Sequence, residues 1–359
     1  MLFAAALTTA LSWGQGATDF ELPTTVLEPS DLEWGLGETV GSPSVSAHRP
    51  FDVLPFWPSA RVLLMAYETQ TEAPSTACPA GRWGVGLAIR IIGTGFYDLG
   101  PVVEPTPGTY YSCVAAHPAL VQLTDIEDAG GQTWLLYFKA EQDCSGKGSS
   151  CERYPGVGRA VISYEGVFED PAYVVTGPDA TPVLAGVAQN MGYPKAAFVD
   201  GEYRLAFGQF PDVYMASSPF TDDFTVSASP VLTASTPTGW GDDELLSPAV
   251  HCEGSSTMKM YPVGRSWSAS QSILDDVSVG GFVSTSPGTD FDVFTEINTT
   301  PYFSTSDSDD EIRHVHMVTS NSYAHYGLFY STPLGAGNII RFASTPSYSW
   351  RNTDFRRCP

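Results

Sequence analysis

The chain has 359 residues, with 17 Lys and Arg against 40 Asp and Glu, and a formal net charge of −23 at pH 7. So acidic a chain offers no basic surface to neutralise phosphates, which excludes nucleic acid as its default partner. Hydrophobic residues at 43% supply a core, so this is no acidic disordered tail, and 34 Gly and 28 Pro favour frequent turns over long helices.

Residues 1–18 carry no charged side chain, and Leu2 to Trp13 form a short apolar stretch followed by Gly14 and Gly16. The stretch is too short to span a bilayer and ends in small residues. Residues 1–16 therefore read as a secretory signal peptide, and the mature protein as secreted or periplasmic. No later segment offers the roughly 18 consecutive apolar residues of a membrane-spanning helix. Residues 17–48, rich in Glu, Pro and Gly, are expected to form an N-terminal extension that drapes over the surface or supplies a closing strand.

Beyond that extension, apolar residues alternate with period two in short runs bounded by Gly, Pro, Asp and Ser, as in Arg61 to Tyr67, Thr133 to Phe138, Glu202 to Phe207 and Thr257 to Tyr261. These are strands. They recur within a larger unit: a Pro-led strand, a hairpin into an aromatic-rich strand, a third strand ending in a Ser/Pro/Gly turn, and a fourth strand. The openers are R-P-F-D-V-L (49–54), H-P-A-L-V-Q (117–122), Y-P-K-A-A-F (193–198) and S-P-A-V-H-C (247–252). A fifth unit keeps the pattern without Pro at R-H-V-H-M-V (313–318). Third-strand ends repeat in phase as M-A-S-S-P-F (215–220), V-S-T-S-P-G (283–288) and F-A-S-T-P-S (342–347). Small sheets that can bury their faces only against the next unit make a propeller. The expected fold is all-β, a five-bladed β-propeller of four-stranded blades over residues 49–359, with a multi-sheet sandwich as the alternative.

Six cysteines follow the signal, and an even number in an exported chain without a C-x-x-C pair points to disulfide staples rather than a metal site. Cys144 and Cys151 flank the Gly/Ser-rich segment 145–150 and suit a local loop closure. That leaves Cys78 with Cys113 and Cys252 with Cys358 as the expected partners.

The order of x-Pro-apolar strand, aromatic hairpin and A-x-S-x-P turn, running from Arg49 to about Trp350, resembles the five-bladed propellers of the arabinanase/β-xylosidase and invertase/levansucrase type of glycoside hydrolase. The resemblance implies inner strands that converge on a funnel, where three carboxylates serve as base or nucleophile, pKa-tuning Asp and acid Glu. At the matching positions this chain has Arg49, Lys195 and Leu246. Nearby carboxylates substitute in a shifted register: Asp52 as base and Glu244 as acid, helped by Asp242 or Asp243. Arg49, His117, Tyr193, Lys195, Trp240, Asp242, His314 and His316 are the expected substrate-binding set. Trp240 is singled out because T-P-T-G-W-G-D-D-E is turn-rich and polar, a setting for an aromatic that stacks on a sugar ring.

His314 and His316 share one strand face by their i, i+2 spacing. The resemblance implies that an inner-strand His of the last blade helps hold an axial cation, so the site admits Ca2+ or another ion, although no cofactor is required. Nucleophile-elbow, phosphate-loop and dinucleotide motifs are absent. The leading expectation is an exported, monomeric propeller that recognises carbohydrate without conventional hydrolysis. A divergent glycoside hydrolase using Asp52 and Glu244, and an extracellular platform for a basic protein partner, are the alternatives.

Overall fold

Alternation with both faces buried governs the second strand of each sheet. In Thr133–Glu141 the run Trp134 to Phe138 is fully buried, because odd and even side chains pack against different neighbouring sheets. The structure, a computed structural model, describes residues 23–48, 62–90, 95–123, 132–147, 151–165, 172–185, 191–199, 201–237, 240–241, 243–253, 257–267, 274–284, 294–297, 299, 301–305, 312–320, 326–334, 337–345 and 353–354.

In chain order the strands are β1 (Thr24–Leu27), β2 (Val40–His48), β3 (Val62–Glu72), β4 (Arg82–Arg90), β5 (Phe96–Val103), β6 (Val114–Gln122), β7 (Thr133–Glu141), β8 (Gly156–Tyr164), β9 (Tyr173–Thr176), β10 (Leu184–Ala185), β11 (Met191–Val199), β12 (Glu202–Gln209), β13 (Asp212–Ser218), β14 (Thr225–Val226), β15 (Glu244–Glu253), β16 (Thr257–Trp267), β17 (Leu274–Val279), β18 (Phe282–Ser284), β19 (Thr295–Glu296), β20 (Phe303–Thr305), β21 (His314–Ser320), β22 (Tyr326–Leu334), β23 (Gly337–Ser344) and β24 (Thr353–Asp354). Antiparallel pairing groups them into the meanders β2-β3-β4-β5, β6-β7-β8-β9, β11-β12-β13-β14, β15-β16-β17/β18 and β21-β22-β23-β1. A parallel bridge, Trp83 to Val114, links the first two. The innermost strands touch in the order β2, β6, β11, β15, β21 and back to β2, which closes a ring of five blades.

Five hydrophobic clusters fill the five blade interfaces. Leu64 and Ala66 of β3 face Trp134, Leu136 and Phe138, while the alternate residues Leu63, Met65 and Tyr67 face Phe329, Ile340 and Phe342 of the last blade. Leu135 and Tyr137 meet Leu205 and Phe207, Met215 meets Met258 and Met260, and Tyr261 and Val263 meet Val315 and Met317. Each large apolar side chain so buried is worth roughly 1.5–3 kcal/mol.

The first blade begins earlier than its expected opener. Its innermost strand is β2, led by Ser42 and Pro43, whereas the expected opener at 49–54 lies outside the described residues. Part of the N-terminal extension also joins the propeller: β1 adds to β23 with Thr24 opposite Phe342 and Leu27 opposite Ile340. Every Pro-led innermost strand carries the same irregularity. Register shifts fall between Gly41 and Ser44, Ala116 and Ala119, Gly192 and Lys195, and Leu246 and Ala249. The residue before each Pro, namely Ser42, His117, Tyr193 and Ser247, is left-handed with φ of 49°, 51°, 58° and 43°. A Pro removes the ladder donor and a bulge absorbs the unpaired position. β21, which has no Pro, pairs with β22 without a shift.

Two expected disulfides are present, Cys78–Cys113 and Cys144–Cys151. The first ties the β3–β4 loop to the entry of β6, and the second closes the β7–β8 loop. The Cys252–Cys358 expectation lies outside the described residues.

A candidate ligand site on the propeller axis

The bulges decide which side chains reach the centre. Because the residue before each Pro is turned out of the strand alternation, Ser42, His117 and Tyr193 from three successive blades meet one another instead of the flanking sheets. Ser42 Oγ lies 2.9 Å from His117 Nδ1, and the His117 and Tyr193 rings meet edge-on at 4.4 Å. The fourth bulge residue, Ser247, accepts from the Val315 amide at 3.1 Å and so joins the fourth blade to the fifth. From β21, His314 completes the group, its ring 4.6 Å from Tyr193 and 5.2 Å from His117.

A carboxylate not expected from the sequence lies among them. Glu68 of β3 is 4% exposed, accepts from the His117 amide at 2.7 Å and stands 3.0 Å from His117 Nδ1. Burial opposes its ionisation, but the His117 charge and hydrogen bonds, with His314 behind them, outweigh that and hold the carboxyl below its ordinary range. Opposite Glu68 in the ladder is Gly41, where a Cβ would stand 3.3 Å from Glu68 Oε1 and 3.7 Å from His314 Nδ1. The missing side chain keeps the space between those two groups open. In the last blade Ser331 follows its aromatic neighbour on the second strand as Glu68 follows Tyr67, and its Oγ lies 2.5 Å from His314 Nδ1.

Both partners of His117 meet it at the same nitrogen, so this is no Ser–His–carboxylate relay, which needs the hydroxyl and the acid on opposite ring nitrogens. A carboxylate only accepts, so the Nδ1 that faces Glu68 is the donor of that contact.

Lys195, just after the third bulge, crosses the axis to donate from Nζ to the Pro43 carbonyl at 2.9 Å. It is buried, and desolvation lowers its pKa to about 7, partly countered by the Glu68 charge. His316 is pushed down to about 3 by desolvation, with Lys195 and His251 adding to the shift. Burial likewise lowers the His314 pKa well below its ordinary value and raises that of the Tyr193 hydroxyl.

His117, Tyr193, Lys195 and His314 thus converge on the axis, with His316 close enough to Lys195 to feel its charge. The remaining candidates do not join them in the expected way. Trp240 is 2% exposed and packs on Phe282 while its Nε1 donates to Glu296 at 2.8 Å. A Cβ at Gly280 would overlap its indole, so the polar loop delivers a wedge into the fourth blade rather than an aromatic to the mouth. Asp243 is exposed and accepts from the Trp267 amide at 2.7 Å. Glu244 lies 3.6 Å from the Arg265 guanidinium and shares with Glu68 an electrostatic influence on Tyr193. Arg49, Asp52 and Asp242 lie outside the described residues. Sequence reasoning missed Glu68. Its signal was a charge placed directly after the apolar run L-L-M-A-Y on a second strand.

The donor chemistry of the axis fits a cation: Glu68, His117 and His314 each offer one ligand atom, all within 4.8 Å of one another. Two imidazoles and one carboxylate are poor calcium chemistry, since that ion takes six to eight oxygens.

No family model and no curated protein matches the chain. Solved structures do. A putative glycosidase from Bacteroides thetaiotaomicron superposes with a TM-score of 0.57 at 12% identity, covering 95% of this chain and 97% of the other. A glycosyl hydrolase from Bacteroides ovatus gives 0.58 at 12% identity, covering 93% and 95%. A levansucrase from B. megaterium gives 0.54 at 10% identity, covering 91% and 92%. The chain shares the fold of propeller glycoside hydrolases, as the blade repeat implies.

Proposed function

We propose that the protein is an exported propeller that recognises carbohydrate at the mouth of its axis. The observation that carries this reading is the convergence of Tyr193, His117, His314 and Ser42 from four blades around the buried carboxylate of Glu68. A sugar ring needs an aromatic edge or face for its C–H groups and a dense set of fixed donors and acceptors for its hydroxyls. The glycosidase-like fold and the two disulfides fit an extracellular saccharide ligand. Binding is favoured over hydrolysis because Glu244 is paired with Arg265, an arrangement for an anion, whereas protonating a leaving group needs a carboxyl kept neutral.

Isothermal calorimetry of the intact protein against a panel of plant and microbial oligosaccharides tests the reading. At least one saccharide should bind with one site per chain, and Tyr193→Ala should weaken it about tenfold or more while the circular dichroism spectrum is unchanged. A folded protein that binds none of the panel overturns it.

A further inference from the structure

We propose that the outer seam between blades two and three is a second saccharide site, a rim groove that takes an internal stretch of a neutral polysaccharide. The groove has a volume of about 560 Å3, a size that accepts small-molecule ligands. Its walls are the segment that joins β9 to β10 and the turn between β13 and β14. Arg159 of β8 stands between them, two strands out from β6, so on the order of 10 Å of sheet separates the groove from the axial group. The groove does not depend on the axial reading.

Its polar groups are fixed before any ligand arrives. Arg159 donates from Nε to Asp179 Oδ2 at 2.7 Å and from Nη1 to the Thr221 hydroxyl, with Asp222 Oδ2 at 3.4 Å, so one guanidinium clasps both blades. The Asp179 amide donates to the Arg159 carbonyl at 3.0 Å and the Val183 amide to the Val157 carbonyl at 2.9 Å, which pins the first wall. On the second wall the Phe224 ring is held edge-on to Tyr137 at 5.7 Å, and the Tyr137 hydroxyl donates to the Thr221 carbonyl at 3.0 Å. Asp223 adds a carboxylate from a left-handed backbone with φ of 58°. A guanidinium and carboxylates already held in place suit sugar hydroxyls, which both donate and accept, and the aromatic beside them suits the C–H faces.

Other ligand classes fit the groove less well. Asp179, Asp222 and Asp223 outnumber Arg159, so phosphates, sulfates and uronates are repelled. An ammonium or guanidinium would have to displace Arg159, which already pairs with Asp179 and Asp222. Thr181, Ala185, Asp222 and Asp223 are exposed along the walls, whereas Glu68, Lys195 and His314 on the axis are buried. An open rim admits the middle of a long chain, where the axis admits a short ligand.

Affinity electrophoresis of the full chain through gels containing arabinan, xylan, galactan, dextran or levan tests the groove. At least one polymer should retard the protein, and Tyr193→Ala should leave that retardation within about twofold. Two variants act on the groove itself: Ala185→Ile fills it from an exposed strand position, and Asp223→Gly removes a carboxylate where the backbone already suits glycine. Each should raise the dissociation constant for the polymer about tenfold, with the circular dichroism spectrum unchanged. Glu104→Gln, an equal change of charge at an exposed residue between β5 and β6, should have no effect. Absence of retardation by every polymer overturns the proposal, and so does wild-type retardation in both groove variants. An equal loss in Glu104→Gln would reduce the effect to net charge, and a loss in Tyr193→Ala would put the polymer on the axis; either result also overturns it. Oligosaccharide calorimetry on the same proteins separates the two sites. Polymer retardation without oligosaccharide binding sinks only the axial reading, and oligosaccharide binding without retardation sinks only the groove.

Discussion

Lys195 illustrates how a single residue is read differently in sequence and in space. In the sequence it stands where the resembled enzymes have an acid, which suggests a ligand-facing charge; in the structure its amine is buried and bonded to a backbone carbonyl across the axis. Its folded-state pKa is lowered from 10.5 to about 7 by desolvation. Between these values the unfolded chain holds the proton and the folded chain does not, so this residue makes stability rise with pH across that window. Below pH 7 both states are protonated and the full cost of burying the charge is felt. Lys195→Met should remove that dependence, on the order of 1.4 kcal/mol for each pKa unit of displacement. Denaturant unfolding at pH 7 and pH 10 checks it: the gain seen in the wild type should shrink in the variant, and an identical gain in both would show that the amine is solvated. Trp240 is the converse case. Its polar sequence neighbours described the loop correctly and the ring wrongly, because only the pairing of the broken third strand reveals that Gly264 and Gly280 make room for an indole.

At the scale of strands, the Pro-led openers were legible because Pro has a fixed physical consequence in a ladder. His117, Tyr193 and Ser247 each precede the Pro of an innermost strand, as the openers imply, whereas the innermost strand of the first blade is led by Pro43 and not by Pro50. Both candidates read x-Pro followed by apolar residues, and only the hydrogen-bond register, Ser44 opposite Ala66, separates them. Glu68 escaped for a related reason: its meaning comes from facing Gly41 across a ladder, and cross-strand partners cannot be counted in a chain whose first inner strand is out of place. The closing strand carries its own test. Leu27 is fully buried in the cluster between the last and first blades. Leu27→Ala should cost about 2–5 kcal/mol. Thermal unfolding should move down by several degrees, and an unchanged midpoint would mean that β1 is not seated on β23.

The whole molecule is a ring whose five interfaces are apolar and whose net charge is −23. These two properties respond to salt in opposite ways. Apolar burial between blades scarcely changes over moderate ionic strength, whereas self-repulsion of an excess of carboxylates falls as the screening length drops from about 30 Å at 0.01 M to about 8 Å at 0.15 M. The folded ring should therefore be more stable at 0.15 M sodium chloride than at 0.01 M, with most of the gain complete by the higher value. Ligand binding at the axis belongs to a different regime. Its groups are short-range and largely buried, and a neutral saccharide brings no charge to be screened, so calorimetric affinity should stay within about twofold over the same range. A basic protein docking on the acidic exterior would behave otherwise, losing affinity steeply as salt rises, because steering and rim contacts are screened first. Unfolding midpoints and saccharide affinities measured on one salt series thus separate the two readings of the charge. A midpoint that climbs while affinity holds places recognition on the axis and leaves the acidic surface to solubility. Affinity that collapses with salt moves recognition to the exterior and leaves the axial cluster without a carbohydrate role.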